Sequence, residues 1–305
     1  MNDVIPQEDK KQLEKQHYKV VGGHSAAKIC LWTRKSLRGE GVCYKEKFYG
    51  ISSHRCLQMT PALQYCNHNC VFCWRTTNYA EPAKDALWDE PEDIVDGLIQ
   101  AQRQLLSGFG GYEGVDKRKL EESKNPNQAA ISLSGEPSFY PKLGGLIQVL
   151  QKRGFSTFLV SNGTMPEALE KLAPLPSQLY VSLVAPDEKT YTRVCNPLIP
   201  DGWSKVNKTL RLFQSLDTRK VVRLTLVKGV NMTEPQGYAK LIGKAEPDFI
   251  EAKAFMFLGG SRGRLARDNM PSHDEVREFA AKISEFTGYL IADEKEGSRV
   301  VLLGK

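Results

Sequence analysis

Short apolar runs alternate with segments of helical period along most of this chain. Runs at residues 62–65, 130–134, 157–161, 179–184, 221–227 and 249–255 are rich in Val, Ile, Leu and Phe, as strands buried in a parallel sheet are. Between them Ile94, Leu98, Ala101 and Leu105 recur at helical spacing, as do Leu143, Leu146, Ile147 and Leu150, then Val206, Leu210 and Phe213, then Tyr238, Leu241 and Ile242. This alternation predicts an α/β protein whose parallel strands are joined by helical crossovers. About six such units are too few for a closed eight-stranded barrel. A partial (β/α)6 barrel or an open doubly wound sheet fits, and either places a site at the C-terminal ends of the strands.

Three stretches lie outside the pattern. Residues 1–60 have weak periodicity. Residues 107–129, with Gly108, Gly110, Gly111 and the basic run Lys117, Arg118, Lys119, read as a long exposed loop. Near the C-terminus Ser272 and Glu275 form a capping box ahead of an apolar helix face of Val276, Phe279, Ala280 and Ile283. A hairpin of residues 289–292 and 300–303 is expected after it. The chain then divides into a segment 1–60, a core 61–256 and an extension 257–305, together one compact unit.

Charged residues make up 26% of the 305 positions, mean hydropathy is −0.40, and no apolar run reaches bilayer length. The first 19 residues lack an apolar signal core, so a cytoplasmic protein without membrane contact is expected. The net charge of +6 permits a polyanionic partner without demanding one.

Cysteine usage sharpens the picture. Cys66, Cys70 and Cys73 form a C-x3-C-x2-C run in the loop after the first predicted strand, on the catalytic edge. Three thiolates so close together suit one 4Fe-4S cluster whose fourth iron stays open to a substrate or cofactor. Cys30, Cys43 and Cys56 follow at even spacing, with twelve residues between neighbours, and suit a second cluster with a free corner. They also suit a zinc site completed by His24 or His54. His68 lies between cluster ligands, where a side chain rarely reaches the same metal. An odd count of seven cysteines and reduced surroundings argue against a disulfide framework. Cys195 is left over and reads as a buried structural thiol.

The predicted strand ends carry polar groups. Ser134-Gly135-Glu136-Pro137 exposes amides and a carboxylate that suit a charged amino-acid moiety, although Gly-Glu-Pro is also an ordinary turn. Asn162 suits a ribose or an Asx turn. Ser182 and Thr225 are hydroxyls in apolar runs that need a partner, either backbone or ligand. Glu251 and Lys253 face one side of a strand as a charge pair. Arg262, Arg264 and Arg267 fall within six positions among small residues, which suits phosphate contacts or a solvated loop. Phe72 and Trp74 beside the cysteines suit base stacking or shielding of a cluster.

Cys66, Cys70, Phe72 and Cys73 together resemble the signature of the radical S-adenosylmethionine (SAM) enzymes, and Ser134 to Pro137 resembles that superfamily's Gly-Gly-Glu-Pro element, with Ser134 in place of the first glycine. The longer string from Cys66 to Arg75 is similar to the tRNA 4-demethylwyosine synthases. So are the Cys30, Cys43, Cys56 spacing with its Cys43-Tyr44-Lys45, and the stretch from Ala254 through Arg264 to His273. The similarity covers the chain from about residue 25 onward.

The resemblance implies two 4Fe-4S clusters and SAM as cofactors. Cys66, Cys70 and Cys73 would hold the radical-generating cluster, and Phe72, Ser134, Gly135, Glu136, Asn162, Ser182 and Thr225 would line the SAM site. Cys30, Cys43 and Cys56 would hold an auxiliary cluster that chelates pyruvate, with Lys45 for proton transfer or Schiff-base chemistry unless it is a surface lysine like Lys47. The substrate would be tRNA-Phe carrying N1-methylguanosine 3′ of the anticodon. A radical derived from SAM would take hydrogen from the N1-methyl group, and pyruvate would supply two carbons of a third ring. Arg262, Arg264 and Arg267 would contact tRNA. A separate ferredoxin or flavodoxin would supply electrons to a monomeric enzyme of the archaeal type, which has no flavodoxin-like domain. The rival readings are another radical enzyme, such as a glycyl-radical activase, and a two-cluster iron-sulfur protein without catalysis.

Overall fold

In the computed structural model, which describes residues 5–75 and 80–305, the chain divides into two units of roughly equal size. The first unit comprises Met1–Tyr65, Glu81–Val160 and Leu172–Ser177. Its elements are α1 (Gln7–Lys15), β1 (Lys19–Val21), β2 (Ser25–Lys28), α2 (Leu31–Leu37), α3 (Tyr44–Tyr49), β3 (Cys56–Thr60), α4 (Pro91–Leu106), α5 (Lys117–Ser123), β4 (Gln128–Ile131), α6 (Leu143–Lys152) and β5 (Ser156–Ser161). The strands lie in the order β1-β2-β3-β4-β5. β1 and β2 are antiparallel to each other and β2 to β3, while β3, β4 and β5 run parallel.

The apolar face expected of α4 is present: Ile94, Val95, Leu98 and Ala101 are buried, and Pro91 opens the helix where its missing N–H costs nothing. Leu146, Ile147 and Leu150 of α6 are fully buried. Two expectations need correction. The first parallel strand is Cys56–Thr60, not residues 62–65. Pro61 has no N–H to extend the ladder, and Ala62 and Leu63 are instead buried in the loop that follows, which makes them as apolar as a strand. Residues 107–129 are not one loop, because Asp116 caps α5 by accepting from Lys119 N at 3.0 Å and Leu120 packs against Ile29, Leu37 and Leu106. Residues 5–60 are ordered into helices and strands of three to nine residues, too short to show a period. The first four residues of that segment lie outside the described residues.

The second unit comprises Cys66–Ala80, Ser161–Lys171 and Gln178–Lys305. It contains α7 (Pro166–Glu170), β6 (Gln178–Ser182), α8 (Glu188–Cys195), α9 (Gly202–Leu212), β7 (Arg219–Leu226), α10 (Pro235–Ala245), β8 (Phe249–Ala254), α11 (His273–Thr287), β9 (Leu290–Lys295) and β10 (Val300–Gly304). The order is β6-β7-β8-β10-β9. β6, β7 and β8 are parallel, and the C-terminal hairpin adds β10 antiparallel to β8. The capping box holds: Glu275 N donates to Ser272 Oγ at 3.2 Å and Ser272 N to Glu275 Oε2 at 2.8 Å.

One face of the three parallel strands is polar. Ser182 pairs in register with Arg223, Arg223 with Glu251, and Thr225 with Lys253. Glu251 is fully buried, and its partner is Arg223 on the next strand, at 2.8 Å. Lys253, on the same strand face, donates through Nζ to the Ser298 carbonyl at 2.7 Å. Among the described residues no helix is long and apolar enough to cross a membrane.

Candidate functional site

In the first unit Cys30 and Cys43 each stand at the N-terminus of a helix, α2 and α3, and Cys56 opens β3. Helix N-termini favour thiolates. Ser53 ties the three segments together: its Oγ accepts from Cys43 N at 2.8 Å, its carbonyl accepts from Thr33 Oγ1 at 2.9 Å, and its N–H donates to Glu46 at 2.7 Å. Thr33 N in turn donates to Cys30 Sγ at 3.3 Å. Burial pushes the Cys56 thiol well up, the Cys30 and Cys43 thiols add to this, and the Lys45 ammonium opposes it. Ser53, bonded to the segments of Cys30 and Cys43 and shortly before Cys56, joins the three cysteine segments to the first turn of α3, where Lys45 stands. Lys45, in the first turn of α3, is 7% exposed and lies over the Phe158 ring at 5.0 Å; Lys47 is exposed.

The histidines weighed as zinc ligands for this set are engaged elsewhere. His24 bonds the Pro61 carbonyl through Nδ1 at 2.6 Å and accepts from Asp89 N at Nε2 at 2.9 Å, and His54 faces Glu122 at 2.6 Å.

The Ser134–Glu136 turn is packed onto the loop after β3. Gly135 has φ +68°, and a Cβ there would fall 1.8 Å from the Ala62 carbonyl, so only glycine fits. Glu136 N donates to the Tyr65 carbonyl at 2.6 Å, and Ser134 Oγ to the Leu63 carbonyl at 3.1 Å. Glu136, 1% exposed, accepts from Ser138 N at 3.1 Å and from its hydroxyl at 2.6 Å.

In the second unit the Cys66–Cys73 loop is pinned to the end of α8. Asn69 N donates to the Cys195 carbonyl at 2.9 Å, Val71 N to the Val194 carbonyl at 2.9 Å and Leu198 N to the Asn67 carbonyl at 2.9 Å. Cys73 N closes a turn on the Cys70 carbonyl at 3.0 Å, with Phe72 half-buried between them. Asn162 makes an Asx turn, accepting from Thr164 N at 2.9 Å, and also reaches the loop, donating to Asn67 Oδ1 at 3.0 Å with Cys66 Sγ at 3.9 Å. Ser182 and Thr225 lie on the polar strand face beside Arg223 and Lys253.

The residues fit an iron-sulfur cluster. Asn67, next to Cys66, is 1% exposed, and its side-chain Nδ2 is buried with no hydrogen-bond partner among the described residues. An orphaned donor is costly; sulfur acceptors beside it satisfy it, and hydrogen bonds to sulfur are a normal feature of such clusters.

The arginine stretch turns out to touch that loop. Arg264 donates through Nε to the Val71 carbonyl at 3.2 Å and through Nη2 to the Cys73 carbonyl. Gly260 N donates to the Trp74 carbonyl at 3.0 Å, and a Cβ at Gly259 or Gly260 would meet the Trp74 or Arg75 carbonyl at 2.2 or 2.4 Å. Arg262 is exposed over the Phe257 ring at 5.7 Å, and Arg267 is exposed in the turn that follows. Sequence reasoning missed Asn67, Arg264's carbonyl partners and the neighbourhood of Cys195. The glycine pair ahead of the arginines was the available signal of close backbone approach.

Residues 61–242 match the radical SAM superfamily, and residues 244–305 match the family described as wyosine base formation. The chain is 55% identical over 307 residues to the SAM-dependent tRNA 4-demethylwyosine synthase of Pyrococcus horikoshii, across 99% of this chain and 90% of that protein. A solved structure of TYW1 with a lysine–pyruvate adduct bound superposes with a TM-score of 0.90 at 38% identity, over 99% of this chain and 96% of that one. An archaeal TYW1 crystal structure gives 0.82 at 35% identity, over 98% and 96%.

Proposed function

Since the chain belongs to the radical SAM superfamily and, within it, to the tRNA 4-demethylwyosine synthases, we propose that it condenses pyruvate with N1-methylguanosine 3′ of the anticodon in tRNA-Phe to form the tricyclic 4-demethylwyosine base. The observation that carries this reading is Lys45, 7% exposed in the first turn of the helix that Cys43 opens. A surface lysine has no need of that place, whereas an amine that condenses with a ketone does.

Two clusters are assigned. Cys66, Cys70 and Cys73 would hold the one that serves SAM cleavage, and Cys30, Cys43 and Cys56 would hold the auxiliary one. When bound, the first cluster supplies the electron that cleaves the SAM sulfonium and so provides a carbon radical that takes hydrogen from the N1-methyl group. The protein's own residues do the rest. Lys45 holds pyruvate through its carbonyl as a Schiff base, with loss of water, and so fixes the carbon that the methylene radical attacks; the bond to the carboxyl carbon then breaks as that carbon departs, and ring closure onto the base's exocyclic amine releases the lysine. Asn67 and Asn162 bond the sulfurs near Cys66. Ser134, Gly135 and Glu136 form the turn assigned to the amino-acid end of SAM, and Phe72, Asn162, Ser182 and Thr225 are assigned to its remaining contacts.

Arg262 and Arg267 contact phosphate of the anticodon arm. Arg264 is spent largely on the cluster loop. In this reading residues 1–60 carry the auxiliary ligands, 61–256 the radical chemistry and 257–305 the tRNA contacts. The enzyme works in the cytoplasm as a monomer, with a ferredoxin or flavodoxin as electron donor.

The test is an anaerobic turnover with reconstituted protein, reductant, SAM, pyruvate and tRNA-Phe bearing N1-methylguanosine, read by mass spectrometry of the digested nucleosides. A tricyclic product that needs pyruvate, together with reductive trapping of pyruvate on Lys45, is the expected result. Formation of 5′-deoxyadenosine with no such product moves the substrate elsewhere, and absence of both with intact clusters removes the enzyme reading.

A further inference from the structure

The cysteine left unassigned by both cluster sets stands beside one of them. Cys195 ends α8 and is 1% exposed, and its thiol stands beside that of Cys70. His68 is 4% exposed and joins the pair, so that one ligand atom from each of His68, Cys70 and Cys195 lies within 4.8 Å of the others. His68 Nε2 stands 2.6 Å from the Tyr191 hydroxyl. That contact holds the imidazole in place. The separation in sequence hides all of this: Tyr191 is 123 residues from His68.

From this geometry we propose that His68, Cys70 and Cys195 form a mononuclear site for a thiophilic divalent cation, Zn2+ above all, open in the apoprotein and excluded once the radical cluster is built. The ligand set is one imidazole and two thiolates with an outer hydroxyl on the imidazole, a combination that selects zinc. Bonds of ~2.0–2.3 Å put tetrahedral zinc ligands about 3.3–3.8 Å apart, so the group needs at most about 1–1.5 Å of closure. The fourth position is left to water. His68 lies between cluster cysteines and reaches the same metal as Cys70 because the third ligand arrives from another helix.

Exclusion follows from the shared residue. Cys70 cannot ligate a mononuclear ion with Cys195 and a cluster with Cys66 and Cys73 at once. Zinc bound first therefore arrests assembly of the radical cluster. This step rests on the assignment of Cys70 to that cluster; the cation site itself does not, and its test needs no tRNA product.

The probe is Co2+, which reports tetrahedral thiolate ligation by its visible absorption, titrated anaerobically into the full-length apoprotein. Cys30, Cys43 and Cys56 offer thiols too, so the reading is the difference between variants. Cys195→Ser and His68→Gln each lose one equivalent of tight Co2+ relative to the wild type, and Tyr191→Phe weakens it ~10–100-fold. Cys73→Ser keeps that equivalent, because Cys73 serves the cluster alone. Melting curves of each apo variant show that the fold is retained, and two chemically different variants guard against one of them misfolding. Preloading with one equivalent of Zn2+ cuts the iron that the wild type takes up on reconstitution by about one cluster, and leaves Cys195→Ser unaffected. Unchanged Co2+ binding in Cys195→Ser overturns the proposal, as does loss of that equivalent in Cys73→Ser.

Discussion

Replacing Arg264 with alanine separates two roles for the arginine stretch. Its guanidinium bonds the carbonyls of Val71 and Cys73, on either side of Phe72 and at the end of the Cys66–Cys73 loop. Hydrogen bonds to a charged group contribute ~1.5–3 kcal/mol each when well formed. The side chain is exposed, and both carbonyls can take up water, so the pair is worth about 2 kcal/mol in holding the loop, or ~30-fold in its ordered population. The loop has other anchors on α8, so the cluster still assembles. The assay is the rate at which a chelator strips iron from the radical cluster in Arg264→Ala, with tRNA affinity measured at two salt concentrations on the same sample. Iron loss is expected to be ~10–30-fold faster, while tRNA affinity changes less than about threefold. Arg264→Lys recovers no more than half of the loss, because a single ammonium cannot span two carbonyls as a fork does. Unchanged iron release with a tenfold or greater loss of tRNA affinity refutes the argument and returns Arg264 to phosphate contact.

Three further outcomes follow from the same geometry. Arg223→Met takes from the buried Glu251 the guanidinium it pairs with, at a cost of ~3–5 kcal/mol; urea unfolding reads it, and the double variant with Glu251→Leu should regain most of the loss. Gly135→Ala forces a Cβ to within 1.8 Å of the Ala62 carbonyl at φ +68°, so SAM affinity and melting temperature should both fall, with a stability loss above the ~1–2 kcal/mol of the left-handed conformation alone. His24 makes stability pH-dependent: burial outweighs its bond to Pro61 and the nearby Asp89 charge and lowers its pKa. The unfolded chain protonates this imidazole from about pH 6.5 downward, so it binds more protons than the folded chain. Stability from His24 is whole above that pH and is lost as pH falls through the folded value. A melting-temperature profile should show this slope, and His24→Asn should flatten it.

What could be read in advance was what is local. Cys66, Cys70 and Cys73 fall within eight positions, so any fold brings them together, and the capping box of α11 needs only Ser272 and Glu275. Composition served less well where burial and secondary structure part company. Ala62, Leu63 and Tyr65 read as a strand because they are apolar and buried, yet the strand is Cys56–Thr60, six residues earlier. The charge of the arginines was plain, and their uses were not. Arg262 and Arg267 remain exposed, whereas Arg264 bonds carbonyls 193 and 191 residues away, and a carbonyl carries no mark in a sequence. Glycine does: a pair of residues without Cβ, Gly259 and Gly260, is what allows the backbone to approach Trp74 and Arg75 and so brings Arg264 into reach. The same reasoning sets the limit for Cys195. An isolated cysteine gives no sign of what faces it, and its meaning appears only when α8 delivers it to Cys70 and His68. Reading glycines near a charged cluster as marks of backbone approach would have shown that the loop has a brace; only the folded chain shows that it also has a competing ligand.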